Sequence, residues 1–342
     1  MKVKPFKLVF LLMAVFPALL ISCGGDDDDD GPTFVEEDRA EQQIVDDSTL
    51  VAYLTTHYYN SSLFESDEDF KYDDIIITEL EEGETVPDGH TLLMDAVETR
   101  TTTYLEADYK YYILRLDQGD EEAGLPRFTD QVRVRYEGSN VVGGDVFDSS
   151  VTPVDLFLQG NLISTFGTIK GWQLVMPTFN AGFLDGIVNG IVNYRDYGLG
   201  VMFIPSGLGY FSGTTTGSSY ANLIFKFELL QYQEEDHDND GIPSYVEDLD
   251  NSLEVTDDDT DDNNFPNFID IDDDGDGVST FNELVQTEYT EEPVLAANEY
   301  IYSRNENTGI IITVKAVDDN NNGILDYLDE TVTTNYNENE TN

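Results

Sequence analysis

Cysteine is almost missing from this 342-residue sequence: its one thiol, Cys23, rules out an intramolecular disulfide. Basic residues are scarce too. Sixteen Lys plus Arg face 70 Asp plus Glu, giving a formal net charge of -54. That balance repels phosphate backbones and anionic headgroups, which excludes nucleic acid as a partner, and it favours divalent cations. His57 has no second His or Cys at metal-ligand spacing, so a zinc-type site is not expected there. A comfortable membrane span is also lacking, because the apolar run from Leu8 through Ile21 is too short and is broken by Pro17. What remains is ample: 40% hydrophobic residues over the length of two ordinary domains can bury at least one sizeable core.

The first residues have a charged-then-apolar layout. Lys2, Lys4 and Lys7 precede the apolar run, as in a secretory signal. The ending Leu20-Ile21-Ser22-Cys23 resembles a bacterial lipobox, so residues 1–22 are expected to be removed and Cys23 to carry lipid. Residues 23–40 then read as an acidic linker. Asp26 to Asp30, directly after the anchor, resemble the acidic export tag of surface-exposed lipoproteins in Bacteroidetes-type bacteria. This implies an outer-membrane, lipid-anchored protein on the cell surface.

Residues 41–108 form an N-terminal extension. Ile44, Val45, Leu50, Val51, Tyr53 and Leu54 predict one or two helical pieces interrupted at Asp46-Asp47-Ser48, with Asp47 or Ser48 capping the second. Short β-prone runs follow at 75–78 and 109–116. From Asp130 the pattern sharpens. Val132, Val134 and Tyr136 alternate with Arg133 and Arg135, Gly143-Gly144 permits a turn, and Val146-Phe147-Asp148 begins the return strand. A further β-prone run spans Val154 to Leu158. Leu174, Val175 and Phe179 suit a short amphipathic helix limited by Pro177, and strands are expected at 201–205 and 223–230 around a glycine-rich loop that holds Tyr210. The expected class is α+β: a curved antiparallel sheet crossed by one helix.

Five segments in order carry a resemblance. They are Tyr136, the run Val146-Phe147-Asp148-Ser149-Ser150, the run Ile169-Lys170-Gly171-Trp172, residues 204–210 ending in Gly209-Tyr210, and residues 223–230 containing Phe225 and Phe227. Together they resemble the signature segments of FKBP-type peptidyl-prolyl isomerases, over about residues 109–233. The resemblance implies an FKBP-like fold and a pocket with Trp172 as floor and Tyr136, Phe147, Ile169 and Phe225 as walls. It further implies Asp148 and the Tyr210 hydroxyl at the rim and the Ile169 N–H as donor to a bound peptide carbonyl. Departures are Phe211 where glycine is common, a 213–220 loop without the usual prolines, a long 180–200 segment, and Val154 and Leu156 in place of aromatic walls. The chemistry stands apart from the family. Rotation about an X-Pro bond faces a barrier of about 18–20 kcal/mol from amide resonance, and a dry aromatic pocket fitted to the twisted amide lowers it without cofactor or metal.

Beyond Gln233 the composition turns to Asp and Asn, with a spacing. Asp236, Asp238, Asp240, Ile242, Ser244 and Glu247 place oxygen donors at positions one, three, five, seven, nine and twelve of a loop that turns at Gly241. Asp272, Asp274, Asp276, Val278, Thr280 and Glu283 repeat the pattern around Gly277. Looser copies are Asp259, Asp261, Asn263, Phe265, Asn267 and Asp270, and Asp318, Asn320, Asn322, Ile324, Asp326 and Asp329. The seventh residue of each offers its backbone carbonyl. Residues 234–342 therefore resemble tandem calcium repeats of the thrombospondin type 3 or dockerin-like kind, with structural calcium as the implied ion and ordering on calcium as the expectation.

The combined reading is a surface lipoprotein prolyl isomerase that assists folding or assembly of outer-membrane or exported proteins. Its expected partners are proline-containing polypeptides and an outer-membrane assembly or secretion complex. Two alternatives are a non-catalytic FKBP-fold binding subunit of such a complex and a calcium-dependent adhesion or glycan-system accessory protein.

Overall fold

Asp38 starts the first element: its side chain accepts the backbone N–H groups of Ala40 and Glu41, and α1 (Arg39–Thr56) follows. The computed structural model describes residues 35–337 except 67, 162–164 and 189. The expected signal, Cys23 and the aspartate run lie outside the described residues. Of the one or two helical pieces expected, one forms: α1 runs through Asp46-Asp47-Ser48 without the expected interruption or second cap. The two aspartates find partners outside the helix, so they do not compete for its backbone. Asp46 accepts from Ser206 N at 2.8 Å and Ser206 Oγ at 2.6 Å. Asp47 accepts from Tyr112 Oη at 2.6 Å and Lys110 Nζ at 2.9 Å.

After α1 come β1 (His57–Tyr59), β2 (Ile77–Glu79) and β3 (Thr91–Leu92), which form a small sheet of order β2-β1-β3, and the single turn α2 (Leu93–Ala96). The central sheet is built from β4 (Glu98–Tyr104), β5 (Ala107–Asp117), β6 (Gln131–Asn140) and β7 (Val146–Phe157), joined after α3 (Lys170–Val175) and the hairpin β8 (Phe183–Val188) and β9 (Ile191–Arg195) by β10 (Gly198–Ile204) and β11 (Leu223–Gln233). Its order is β4-β5-β10-β11-β6-β7, with every neighbouring pair antiparallel. The hairpin β8–β9 accounts for the long 180–200 segment. One continuous strand, β7, replaces the two runs expected around Pro153. An edge strand tolerates proline because one row of its N–H groups needs no partner.

Alternation sorts the strands onto two cores. Tyr109, Tyr111 and Ile113 of β5, Met202 and Ile204 of β10, and Phe225 and Phe227 of β11 face the layer containing α3. Tyr112, Leu114, Val201, Phe203 and Ile224 face the other way, onto Leu50 and Leu54 of α1 and Tyr59, Ile75 and Leu93 of the extension. The extension thus seals the second face of the sheet. A charge buried there is paired: Glu228 accepts from Arg135 Nη1 at 2.6 Å and from Tyr72 N at 3.0 Å.

The acidic region contains more regular structure than its composition indicates. Strands β12 (Val285–Tyr289), β13 (Glu299–Asn305) and β14 (Ile310–Lys315) pair in the order β12-β14-β13. They share a small core of Ile242, Leu284, Val314, Ala316 and Tyr327. A second cluster joins Phe128 of the sheet body to Val255 and Phe268 of the loops. The described residues from Glu37 onward make up one unit. No helix among the described residues is long and apolar enough to cross a membrane.

Candidate functional site

Pairing in the central sheet brings the pocket residues together. Tyr136 sits on β6, and Phe147 and Asp148 on its partner β7, in a register that sets Gly138 opposite Asp148. The Tyr136 hydroxyl donates to Asp148 Oδ2 at 2.6 Å. Burial and then that carboxylate push the Tyr136 phenol above its usual range, so it stays a donor. Phe225 on β11 lies opposite Gly138 on β6. A Cβ at Gly138 would stand 2.6 Å from the Phe225 ring and 3.0 Å from Phe147 Cζ, so the missing side chain is what lets the two rings meet over the strand. They do so edge-on with centroids 5.6 Å apart.

Trp172, in the first turn of α3, meets Tyr136 at 5.4 Å and Phe225 at 5.3 Å, both edge-to-face. Tyr210 approaches Phe147 at 6.4 Å, and burial, then Asp148, raises its phenol pKa. Trp172 and Phe225 are buried, whereas Phe147, Ile169 and Tyr210 are half-buried and Asp148 is exposed, as a floor and a rim require. Val154 and Leu156 pack at the side of the same cluster. Ile169 holds an extended conformation as the N-cap of α3, and no group among the described residues accepts its N–H. All seven expected pocket residues, Tyr136, Phe147, Asp148, Ile169, Trp172, Tyr210 and Phe225, belong to one constellation.

The acidic loops share a backbone plan. In each of the four expected copies the sixth residue has positive φ, Gly241 at 102°, Asn264 at 74°, Gly277 at 95° and Gly323 at 94°, and its N–H is accepted by the first aspartate. The ninth residue also has a structural partner within its loop. Ser244, Asn267, Thr280 and Asp326 are buried and turn their oxygens to the backbone N–H of the loop's own second residue, at 3.1, 2.9, 3.2 and 3.0 Å. The sequence reading missed a further loop of this form at Asp248. Leu253 occupies its sixth position with φ 62° and donates to Asp248 Oδ2 at 3.0 Å. Asp248, Asp250 and Asp258 converge there. Asp248-x-Asp250-x-Ser252 carries the signal, hidden because leucine stands where glycine is expected.

The loops differ in how their carboxylates are satisfied. In the two looser copies asparagine amides supply hydrogen bonds to the last residue: Asn263 Nδ2 donates to Asp270 at 2.6 Å, and Asn320 and Asn322 donate to Asp329 at 2.9 and 2.7 Å. Phe265 and Ile324 leave their side chains in solvent. In the two all-carboxylate copies no donor does this. Asp236, Asp238 and Asp240 bring ligand oxygens within 4.8 Å of one another, as do Asp272, Asp274 and Asp276. Buried oxygens of Asp238, Asp240, Glu247, Asp272, Asp274, Asp276 and Glu283 have no hydrogen-bond partner. Burial, then neighbouring carboxylates, raises Glu283 to about 9, and burial pushes Asp236, Asp238, Asp240 and Glu247 upward as well. Crowded, dry, unpaired oxygens fit a hard divalent cation. Ile242 and Val278 stand at the seventh positions, where the carbonyl is the available donor.

Both regions touch. His237, second in the first loop, brings Nε2 within 3.1 Å of the Gln159 carbonyl and Nδ1 within 2.9 Å of Ser244 Oγ. A carbonyl only accepts, so Nε2 carries the proton. Lys170, beside Trp172, is buried and reaches the Leu253 carbonyl and the Glu254 carboxylate.

Comparison with known proteins gives two kinds of likeness. Residues 237–310 match the family described as BamM C-terminal, a stretch that runs from the first loop through β12 and β13. Among solved structures, a peptidyl-prolyl cis-trans isomerase from Pseudomonas syringae pv. tomato is similar at 20% identity, with 41% of this chain and 82% of that one covered and a TM-score of 0.29. FkpA from Escherichia coli is similar at 22% identity and a TM-score of 0.29, with 41% of this chain and 55% of FkpA covered. Likeness at this level carries no functional inference. No curated protein matches.

Proposed function

We propose that the chain is a peptidyl-prolyl cis-trans isomerase, lipid-anchored through Cys23 at the outer-membrane surface, that serves folding or assembly of outer-membrane or exported proteins. One observation carries the activity: four aromatic rings, Tyr136, Phe147, Trp172 and Phe225, meet edge-on beneath a rim holding Asp148, Tyr210 and the Ile169 N–H. A prolyl ring enters between Phe147 and Tyr210, and the Ile169 N–H takes a peptide carbonyl. The dry wall withholds the water that stabilises the planar, polarised amide, so the twisted form is favoured. Each ~1.4 kcal/mol of that preference is worth tenfold in rate. Calcium is the proposed structural ion of the acidic loops, held by Asp236, Asp238, Asp240, the Ile242 carbonyl and Glu247 in one copy and by Asp272, Asp274, Asp276, the Val278 carbonyl and Glu283 in another. The likeness of residues 237–310 to the BamM C-terminal family supports an outer-membrane assembly setting.

A non-catalytic peptide clamp is the second reading. It is favoured by the way α1 pins the Tyr210 loop, through Asp46 on Ser206 and Arg39 stacked 4.1 Å from the Phe211 ring. A protease-coupled proline-peptide assay on the mature chain separates the two. Turnover lost in Phe147→Ala is expected of the enzyme; a rate no higher than that variant, with peptide still bound, would establish the clamp instead.

A further inference from the structure

Asp273 lies second in the Asp272–Glu283 loop, the fourth in chain order once the Asp248 loop is counted, between two aspartates that face that loop's own centre. Its carboxylate instead joins Asp240 and Glu247 of the first loop, and ligand oxygens of the three lie within 4.8 Å of one another. The surroundings are closed. Asp273 and Glu247 are each 1% exposed and Asp240 2%. Neither oxygen of Asp273 nor of Glu247 has a hydrogen-bond partner, and the second oxygen of Asp240 has none. The Thr280 hydroxyl takes the Asp273 backbone N–H at 3.2 Å and lies beside the Asp240 and Asp273 carboxylates, but one neutral hydroxyl does not offset the combined charge of three.

Three carboxylates in one dry space repel strongly unless a positive charge sits among them. No lysine or arginine forms an ion pair with any of them among the described residues. A divalent ion with oxygen ligands satisfies that arrangement. We propose that Asp273 is a cation ligand donated across loops: with Asp240 and Glu247 it holds a divalent ion and thereby fastens the fourth loop to the first. The proposal deepens the calcium reading of the loops and rests on it. Its consequence is architectural. The first loop is anchored to the sheet body through His237, so the shared ion extends that anchorage to the fourth loop and to the β12–β14 sheet that follows it.

The test uses the full mature chain and calcium itself. Calorimetric titration of calcium is compared for the native chain, Asp273→Asn, and Asp240→Asn as a control within the first loop, with thermal unfolding in chelator measured in parallel. A ligand role has two signatures of opposite sign. Asp273→Asn lowers the affinity of one binding event at least tenfold, yet raises the melting temperature in chelator because one repelling charge is gone. A packing role would lower the melting temperature in both conditions. Should Asp240→Asn alter the isotherm while Asp273→Asn leaves it and the calcium-induced stabilisation unchanged, the cross-loop ligand is overturned and the calcium reading stands. If the native chain takes up no calcium, both fall. Asp273→Ala, which brings no amide needing partners, carries the same two expectations if the asparagine variant expresses poorly.

Discussion

Phe211 occupies a backbone conformation that glycine adopts freely, with φ 47°. A phenylalanine in this conformation is strained unless its ring is well packed. The strain of a left-handed bulky residue is roughly 1–2 kcal/mol, whereas removing a buried phenylalanine costs about 3–5 kcal/mol. The ring lies 5% exposed, under Arg39 and edge-on to Tyr220 at 5.0 Å. Burial wins, so Phe211→Gly is expected to destabilise by about 2 kcal/mol in urea unfolding at fixed calcium. Tyr136→Phe tests the rim. It removes the 2.6 Å bond to Asp148 and leaves that carboxylate free to turn into solvent. Turnover should fall about tenfold, the worth of one charge-assisted hydrogen bond of about 1.4 kcal/mol, with little change in stability because Asp148 is exposed. An unchanged kcat/KM would remove this pair from the mechanism.

At the scale of elements, α1 acts on the pocket from the opposite face of the sheet. Asp46 on α1 is 1% exposed, and its two bonds to Ser206 fix the turn that leads to Tyr210. Burial raises the Asp46 carboxyl pKa, against the pull of Ser206. Asp46→Ala leaves a buried N–H and hydroxyl unpaired, at about 1–3 kcal/mol each, so a loss of about 3 kcal/mol is expected. Asp46→Asn keeps an accepting oxygen and should lose less. Hydrogen exchange at residues 206–211 reports whether the loop is released; exchange that stays slow in Asp46→Ala would show that α1 does not hold it.

For the whole molecule, pH and calcium are linked. Glu283 is held at about 9 and Asp258 and Asp274 at about 6, all above the unfolded values of about 4, and Asp238, Asp240, Glu247 and Asp273 are shifted the same way. Carboxyls raised on folding bind more protons folded than unfolded, so stability in chelator is full below about pH 4 for these groups and falls as pH rises towards 9. Calcium replaces the protons and should flatten that fall. Melting curves at pH 5, 7 and 9, with chelator and with millimolar calcium, check the sign; stability in chelator that rises across the window would contradict it.

Much of this was legible in the residues in order. Alternation along Val132, Val134 and Tyr136 announced a half-buried strand, and aspartates at every second place before a glycine announced the loops, because both are rules of local backbone geometry. The loop at Asp248 escaped because Leu253 adopts the left-handed turn without glycine, held there by Asp248. The β12–β14 sheet was hidden by acidic surroundings that mask short apolar runs. Other features depend on contacts between distant segments. The inward turn of Ser244 and Thr280, the unbroken course of α1 through Asp46-Asp47, and the reach of Asp273 into the first loop each follow from which segments pack together. Spacing along a chain sets what a residue can offer; folding sets which distant oxygen, ring or amide is near enough to receive it.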